Sequence, residues 1–199
     1  MPLGRSTAAV AWTRADDVAF ADRLVGQLLP GGLMKRPTTG RLCPRCGSSQ
    51  HGRPFLRGVT GTTPHISLSR TTGATVLAMS WSGRIGVDVE SLDRFSDVDL
   101  RGVVLHPEER AATPEALART WVRKEALLKV WGHGLSVDPR SLRIDDTAPS
   151  PTVAPWPPQE PPGWLHDLEL APGLVAALAG DGNRAGITVR EVAQEALRG

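Results

Sequence analysis

Tyrosine is absent from this chain and lysine nearly so: Lys35, Lys124 and Lys129 are the only three, and arginine supplies the rest of the positive charge. With alanine, arginine, glycine and proline plentiful, that composition suggests a GC-rich genome. No strong field of one sign exists either. The net charge of +2 permits an anionic ligand without demanding nucleic acid. No stretch approaches the roughly 18 apolar residues of a membrane span. The first 32 residues lack the basic start, apolar run and small-residue cleavage site of a signal peptide. The expectation is a cytoplasmic protein with no membrane partner. What is present fits a folded protein: 199 residues, 40% hydrophobic and 22% charged, enough for one domain or two small lobes.

Cysteine occurs twice, at Cys43 and Cys46 in Cys-Pro-Arg-Cys-Gly. Such a knuckle can supply half of a zinc site, but tetrahedral zinc takes four ligands. His51 could be a third, and no obvious fourth follows. A redox pair would prefer a helix N-terminus after a strand, whereas this segment is turn-like. A structural turn with thiols is the plainest reading; zinc and redox chemistry stay open.

Residues 66–90 and 166–190 repeat a pattern at an offset of one hundred. Leu68 answers Leu168, Gly73 answers Gly173, Arg84 answers Arg184, Gly86 answers Gly186 and Val89 answers Val189. Each copy reads as strand, glycine turn, apolar strand, glycine turn, alternating strand. Chance similarity between two β-meanders is the plain alternative. A helical stretch precedes each copy. The first runs from Arg14 to Leu29 and ends at Pro30-Gly31-Gly32. The second has Thr113 as N-cap, Pro114 at the first helical position, and Gly132 as its stop after Trp131. These patterns predict an α+β fold, a pseudo-dimer of two similar lobes. Each lobe would be an antiparallel β-meander packed on a helix. The lobes are expected at 1–90 and 91–199, with a proline-rich loop at 148–163 inside the second.

The copies differ in one respect that matters for chemistry. In the first, Ile85, Val87 and Val89 alternate with Gly86, Asp88 and Glu90, so both carboxylates share a strand face. The equivalents in the second copy are Thr188 and Arg190. Carboxylates two residues apart on a strand lie about 6–7 Å apart in Cα position, close enough to share a hard cation such as magnesium. Alone, that pair reads equally as a solvated edge. The run Trp121-Val122-Arg123-Lys124-Glu125-Ala126-Leu127-Leu128-Lys129 places Glu125 and Lys129 one helical turn apart. An amphipathic helix with a surface ion pair is the plain reading. Two of three lysines falling here argues otherwise, because a merely solvated cation in this chain would be arginine. Gly52-Arg53-Pro54 and Ser67-Leu68-Ser69-Arg70-Thr71 offer arginines and hydroxyls that could hold phosphate oxygens.

In order, these pieces resemble the phosphopantetheinyl transferases of the surfactin-synthetase-activating type. The matching motifs are Gly-Arg-Pro (52–54), Ile-Ser-Leu-Ser-Arg-Thr (66–71), Ile-Gly-Val-Asp-Val-Glu (85–90), His-Pro-Glu-Glu (106–109) and Trp-Val-Arg-Lys-Glu-Ala-Leu-Leu-Lys-Val-Trp-Gly-His-Gly-Leu (121–135). The resemblance implies transfer of the 4′-phosphopantetheine moiety of coenzyme A to a serine of an acyl or peptidyl carrier protein, releasing adenosine 3′,5′-bisphosphate, in secondary metabolism (polyketide or nonribosomal peptide carriers). It implies a pseudo-dimer of two such lobes with the active site in the cleft between them, and a Mg2+ site of Asp88, Glu90 and Glu125. It gives Asp88, Glu125 and Lys129 as catalytic residues, Glu125 as the base and Lys129 assisting departure. Arg53, Ser69, Arg70, Thr71, Lys124 and Lys129 would contact coenzyme phosphates.

The chain departs from the family pattern in places. Arg70 stands where histidine is usual, and Ser67 where asparagine is common. Basic residues of the N-terminal lobe are represented only by Lys35, Arg36 and Arg41. Trp131 and Leu135 are candidates for the carrier-protein surface, and a monomer is expected, because duplication supplies internally what a single-lobe enzyme obtains by oligomerising. The alternatives are a non-catalytic relative that binds coenzyme A or a carrier protein, and a zinc-knuckle nucleic-acid binder around Cys43 and Cys46. Retention of all three carboxylates argues against the first. The second lacks further ligands and a basic or aromatic surface.

Overall fold

Gly73 and Gly173, the matched glycines of the repeat, both adopt positive φ (79° and 83°) and close hairpins. In this computed structural model the described residues are 8–15, 17, 20–29, 38–43, 46–59, 61–96, 98–145, 152–153, 163–181, 184 and 186–197. The first half contains β1 (Ala8–Thr13), α1 (Phe20–Leu28), β2 (Thr38–Leu42), β3 (Arg53–Arg57), β4 (His65–Thr71), β5 (Ala74–Ser80) and β6 (Ile85–Ser91). There follow short α2 (Asp93–Ser96), α3 (Arg101–Val104), and long α4 (Pro114–Trp131). The chain then forms β7 (Ile144–Asp145), β8 (Thr152–Val153), β9 (Trp164–Leu168), β10 (Leu174–Gly180) and β11 (Ile187–Glu191). No described helix is long and apolar enough to cross a membrane.

The strands of both repeat copies form where the pattern places them, but their pairing is exchanged. β6 does not extend its own hairpin; it pairs antiparallel with β10, in a sheet ordered β6-β10-β9. β11 pairs parallel with β1, in a sheet ordered β11-β1-β5-β4. That sheet is therefore mixed rather than an antiparallel meander. Each half of the chain gives its third strand to the other half's sheet, and the expected boundary after residue 90 falls inside β6.

The two sheets pack face to face through Val10, Trp12 and Val76 on one side and Val87, Val89 and Leu178 on the other. α1 covers the outer face of the four-stranded sheet with Leu24, Val25 and Leu28. α4 covers the outer face of the three-stranded sheet with Val122, Ala126, Leu127 and Val130. The order of layers is helix, sheet, sheet, helix, and each fully buried leucine contributes on the order of 2 kcal/mol.

α4 begins and ends as its sequence predicts. The Thr113 side chain accepts from Ala116 N at 3.1 Å, Pro114 follows, and Gly132 closes the helix in the left-handed region. The first helix is shorter than expected. Arg14 and Ala15 lie outside it, because the chain through Thr13 is spent on β1, which Thr75 ties down by donating to Ala15 O at 2.6 Å. Of the proline-rich loop, only 152–153 and 163 lie among the described residues; β8 pairs there with β7.

β6 has β10 along one edge only. Along the other, hydroxyls stand in for a backbone partner. Ser67, Ser69 and Thr71 of β4 accept from the amides of Val87, Val89 and Ser91 at 3.0, 3.3 and 3.1 Å. The alternation of a strand puts those three side chains on one face, and buried amides demand partners. This ladder fixes the strand that carries the carboxylates.

Candidate active site

Strand alternation turns Asp88 and Glu90 toward α4, and Gly86 lets the helix come close. A Cβ on Gly86 would stand 2.0 Å from Ala126 O, so only glycine permits this contact. The approach brings Glu125 of α4 to the carboxylates of β6, and all three are buried. Asp88 Oδ1 accepts from Lys129 Nζ and from Ser69 Oγ, both at 2.7 Å. Glu90 Oε1 accepts from Arg94 Nη1 at 2.5 Å and Trp121 Nε1 at 3.3 Å, and Oε2 accepts from Thr71 Oγ1 at 3.2 Å.

Among the described residues, the buried Asp88 Oδ2 and Glu125 Oε1 have no protein partner. A buried acceptor left unmade costs about 1–3 kcal/mol, so this cluster is built for something other than stability. Burial raises the Glu125 carboxyl to about 7, the Asp88 charge adds to the rise, and Lys129 opposes it. The Glu125 carboxyl thus titrates near neutral pH.

The two helix lysines diverge. Lys129 lies at the carboxylates, also donating to Val87 O at 2.9 Å, rather than pairing with Glu125 along the helix. Lys124 points the other way. Its ammonium is fully buried, donating to Val104 O at 2.8 Å and Glu109 Oε2 at 2.5 Å. Lys124, expected at the coenzyme phosphates, directs its ammonium to these two acceptors inside the protein. Glu109 also accepts from His106 N at 2.7 Å and Ile144 N at 2.6 Å. The motif His-Pro-Glu-Glu carried no expected role for Glu109, and no local signal joins it to a lysine fifteen residues on.

Ser69 and Thr71 likewise face the carboxylates. Each hydroxyl accepts a β6 amide and donates to an acid, so both position Asp88 and Glu90 and have no proton left for a phosphate.

A cavity of about 620 Å³ opens beside Lys129, lined by the segment before β3, by β4, and by the end of α4. Its cations are Arg41, Arg53 and Lys129. Arg53 Nη2 donates to Val130 O at 2.6 Å and Lys129 O at 3.3 Å, which ties β3 to the C-terminus of α4. Arg41 Nη1 donates to Gly52 O at 3.2 Å, and burial, followed by the charge of Arg70, pushes the Arg41 guanidinium down from its ordinary value. Arg70 is exposed near Arg41. Trp131 is buried under α4 and lines the cavity, so it does not present the carrier-protein surface expected of it. Lys35 and Arg36 lie outside the described residues, as does the side chain of Leu135.

Comparison with known proteins bears on this half of the molecule. Residues 84–179 match the 4′-phosphopantetheinyl transferase superfamily. The superfamily match spans β6 to β10 and so includes Asp88, Glu90, Glu125 and Lys129. A crystal structure of holo-[acyl-carrier-protein] synthase from Neisseria meningitidis aligns with a TM-score of 0.43 and 24% identity, over 50% of this chain and 98% of that one. No curated protein matches the chain.

The donor set suits a divalent cation of the hard kind. Asp88 and Glu125 each hold a buried oxygen without a partner, and the third acid is held by an exposed arginine. The three acids do not, however, bring an oxygen each within 4.8 Å of one another; among the described residues, Cys43, Cys46 and His51 do so. Release of Glu90 by Arg94, or intervening water, would complete a shell for Mg2+, which commonly keeps several waters.

Proposed function

We propose that this chain transfers the 4′-phosphopantetheine moiety of coenzyme A to a serine of an acyl or peptidyl carrier protein. The observation that carries the reading is the buried Asp88–Glu125 pair. Each member holds an unpartnered buried oxygen, and Lys129, bonded to Asp88, lines a cationic cavity large enough for a nucleotide. The superfamily match over residues 84–179 supports it.

In the proposed reaction the serine oxygen forms a bond to the β-phosphorus of coenzyme A. The bond from that phosphorus to the bridging oxygen breaks, and adenosine 3′,5′-bisphosphate leaves with the electron pair. The serine proton passes to Glu125 as general base. Lys129, at the mouth of the cavity, supplies positive charge to the leaving oxygen. Arg53 and Arg41 line the cavity where phosphates would rest, with Arg70 at its rim for the 3′-phosphate. Asp88, Glu90 and Glu125 would hold Mg2+, which supplies charge neutralisation at the pyrophosphate. Ser69, Thr71 and Lys124 act by positioning these groups.

The exchange of third strands between sheets supports two lobes related by a pseudo-twofold axis, with the site where they meet, in a chain that acts as a monomer. The surfactin-synthetase-activating type and secondary-metabolite carriers rest on the motif resemblance over residues 50–140.

The test follows the mass of a carrier protein incubated with coenzyme A, Mg2+ and the chain. Wild type adds one phosphopantetheine, whereas Asp88→Ala and Glu125→Gln add none while keeping a native circular dichroism spectrum. Undiminished transfer by either variant removes the mechanism.

A further inference from the structure

A second set of ligand-type side chains lies between β2 and β3, outside the carboxylate site. The thiols of Cys43 and Cys46 and a ring nitrogen of His51 all lie within 4.8 Å of one another. Cys46 Sγ and His51 Nε2 are 3.3 Å apart. Tetrahedral zinc, with Zn–S of about 2.3 Å and Zn–N of about 2.0 Å, sets S···N edges of about 3.5 Å and S···S edges of about 3.8 Å. The Cys46–His51 edge of 3.3 Å is within about 0.2 Å of that geometry, and no other edge exceeds it by more than about 1.3 Å.

The backbone is shaped to hold them there. Gly47 N donates to Cys43 O and Cys43 N donates to Ser48 O, each at 2.9 Å, which folds Cys46 back over Cys43. Gly52 then brings the chain against Cys43. A Cβ at 52 would stand 2.4 Å from Leu42 O and 2.5 Å from Cys43 Cα, and φ there is +100°. Only glycine delivers His51 to this position.

We propose that Cys43, Cys46 and His51 bind one zinc ion, with water in the fourth position. Cys43 and His51 line the cationic cavity, so the open position lies at its wall. Two thiolates neutralise the ion and leave the cavity's charge to its arginines. The ion fastens the segment from β2 to β3. That segment carries Arg41 and Gly52, which bond each other, and leads directly into Arg53, which grips the end of α4.

The experiment uses the full chain without a histidine tag, dialysed against micromolar Zn2+ and then against metal-free buffer. Metal analysis is expected to find about one zinc per chain. Substitution with Co2+ gives the intense near-ultraviolet thiolate-to-cobalt absorption and the visible bands of a tetrahedral site. Cys46→Ser and His51→Ala, both at exposed positions, lower the zinc content and weaken those bands while circular dichroism stays native. Removal of zinc by a chelator speeds amide exchange across residues 38–57 about tenfold. A chain that retains no zinc, or variants that retain as much as wild type, would overturn the site. A Cys43–Cys46 disulfide that forms in the presence of Zn2+, read as the loss of two hydrogens by mass, would do the same. Unchanged exchange after zinc removal would overturn the fastening role. None of these readouts depends on carrier-protein transfer.

Discussion

Lys129 pairs with Asp88 and not with Glu125: its ammonium lies 2.7 Å from Asp88 Oδ1, across from helix to strand. A lysine four residues after a glutamate ordinarily forms the local pair, worth about 0.3–0.5 kcal/mol. Here the strand offers an ionised, buried carboxylate and a carbonyl together, and the cross-element contact wins. Lys129→Met strands the Asp88 charge with Ser69 as its remaining donor. The expected loss is about 1–3 kcal/mol in metal-free urea unfolding, limited by the partial exposure of Lys129. Asp88→Asn in the same chain is expected to restore most of it. A double variant no more stable than Lys129→Met would show that the pair does not carry the effect.

The raised carboxyl of Glu125 makes metal-free stability depend on pH with a definite sign. Its value moves from an ordinary 4.5 to about 7 in the native protein, so the native state holds a proton that the unfolded chain has released. Stability from this group is full below about pH 4.5 and is lost as pH rises through about 7, a change of up to about 3 kcal/mol. Glu125→Gln removes the titration. The variant is expected to melt higher than wild type at pH 8 without metal, and to flatten the slope between pH 5 and 7. A lower melting point for the variant at pH 8 would mean that the ionised carboxylate is well satisfied.

Gly86→Ala tests the close approach of β6 and α4. The added methyl meets the backbone of Ala126, which cannot swing aside as a side chain could. Overpacking of this kind costs about 1–3 kcal/mol, and the helix must move outward, carrying Glu125 from Asp88. Reduced stability with reduced transfer is expected, read by thermal melting and the carrier assay. Wild-type values for both would show that the contact yields.

Lys124 and Glu109 form a buried ion pair beneath the site. Burial pushes the Lys124 ammonium down, and Glu109 opposes the shift. Lys124→Met leaves Glu109 without its counter-charge and is expected to cost about 3–5 kcal/mol. Lys124→Met with Glu109→Gln is expected to recover part of that, as a double-mutant cycle measures. Additive losses would deny the coupling.

The helix α4 was legible in nearly every detail, since Thr113, Pro114 and Gly132 act through local backbone chemistry. The strands of the repeat were legible for the same reason: alternation and glycine turns are local signals. Their partners were not. Nothing in Ile85–Ser91 states that β10 rather than β5 lies alongside, because the choice is made by packing between distant segments. β1 went unread, for Ala-Ala-Val-Ala-Trp-Thr is buried on both faces and shows no alternation. At the site, the sequence marked Asp88, Glu90, Glu125 and Lys129 as one neighbourhood, which the structure assembles. It expected Lys124 at the coenzyme phosphates, whereas the structure directs the ammonium to Glu109 and Val104, a contact between segments distant in sequence. It also read Ser69 and Thr71 as ligand contacts, because hydroxyls that bridge an amide to an acid look the same in sequence as those that meet a phosphate.

The reciprocal loan of β6 and β11 bears on how the molecule comes apart. Neither half can depart without tearing a strand from the other's sheet, so heating should release both in one calorimetric transition. Cutting the chain between the repeats should yield fragments that fold only when mixed.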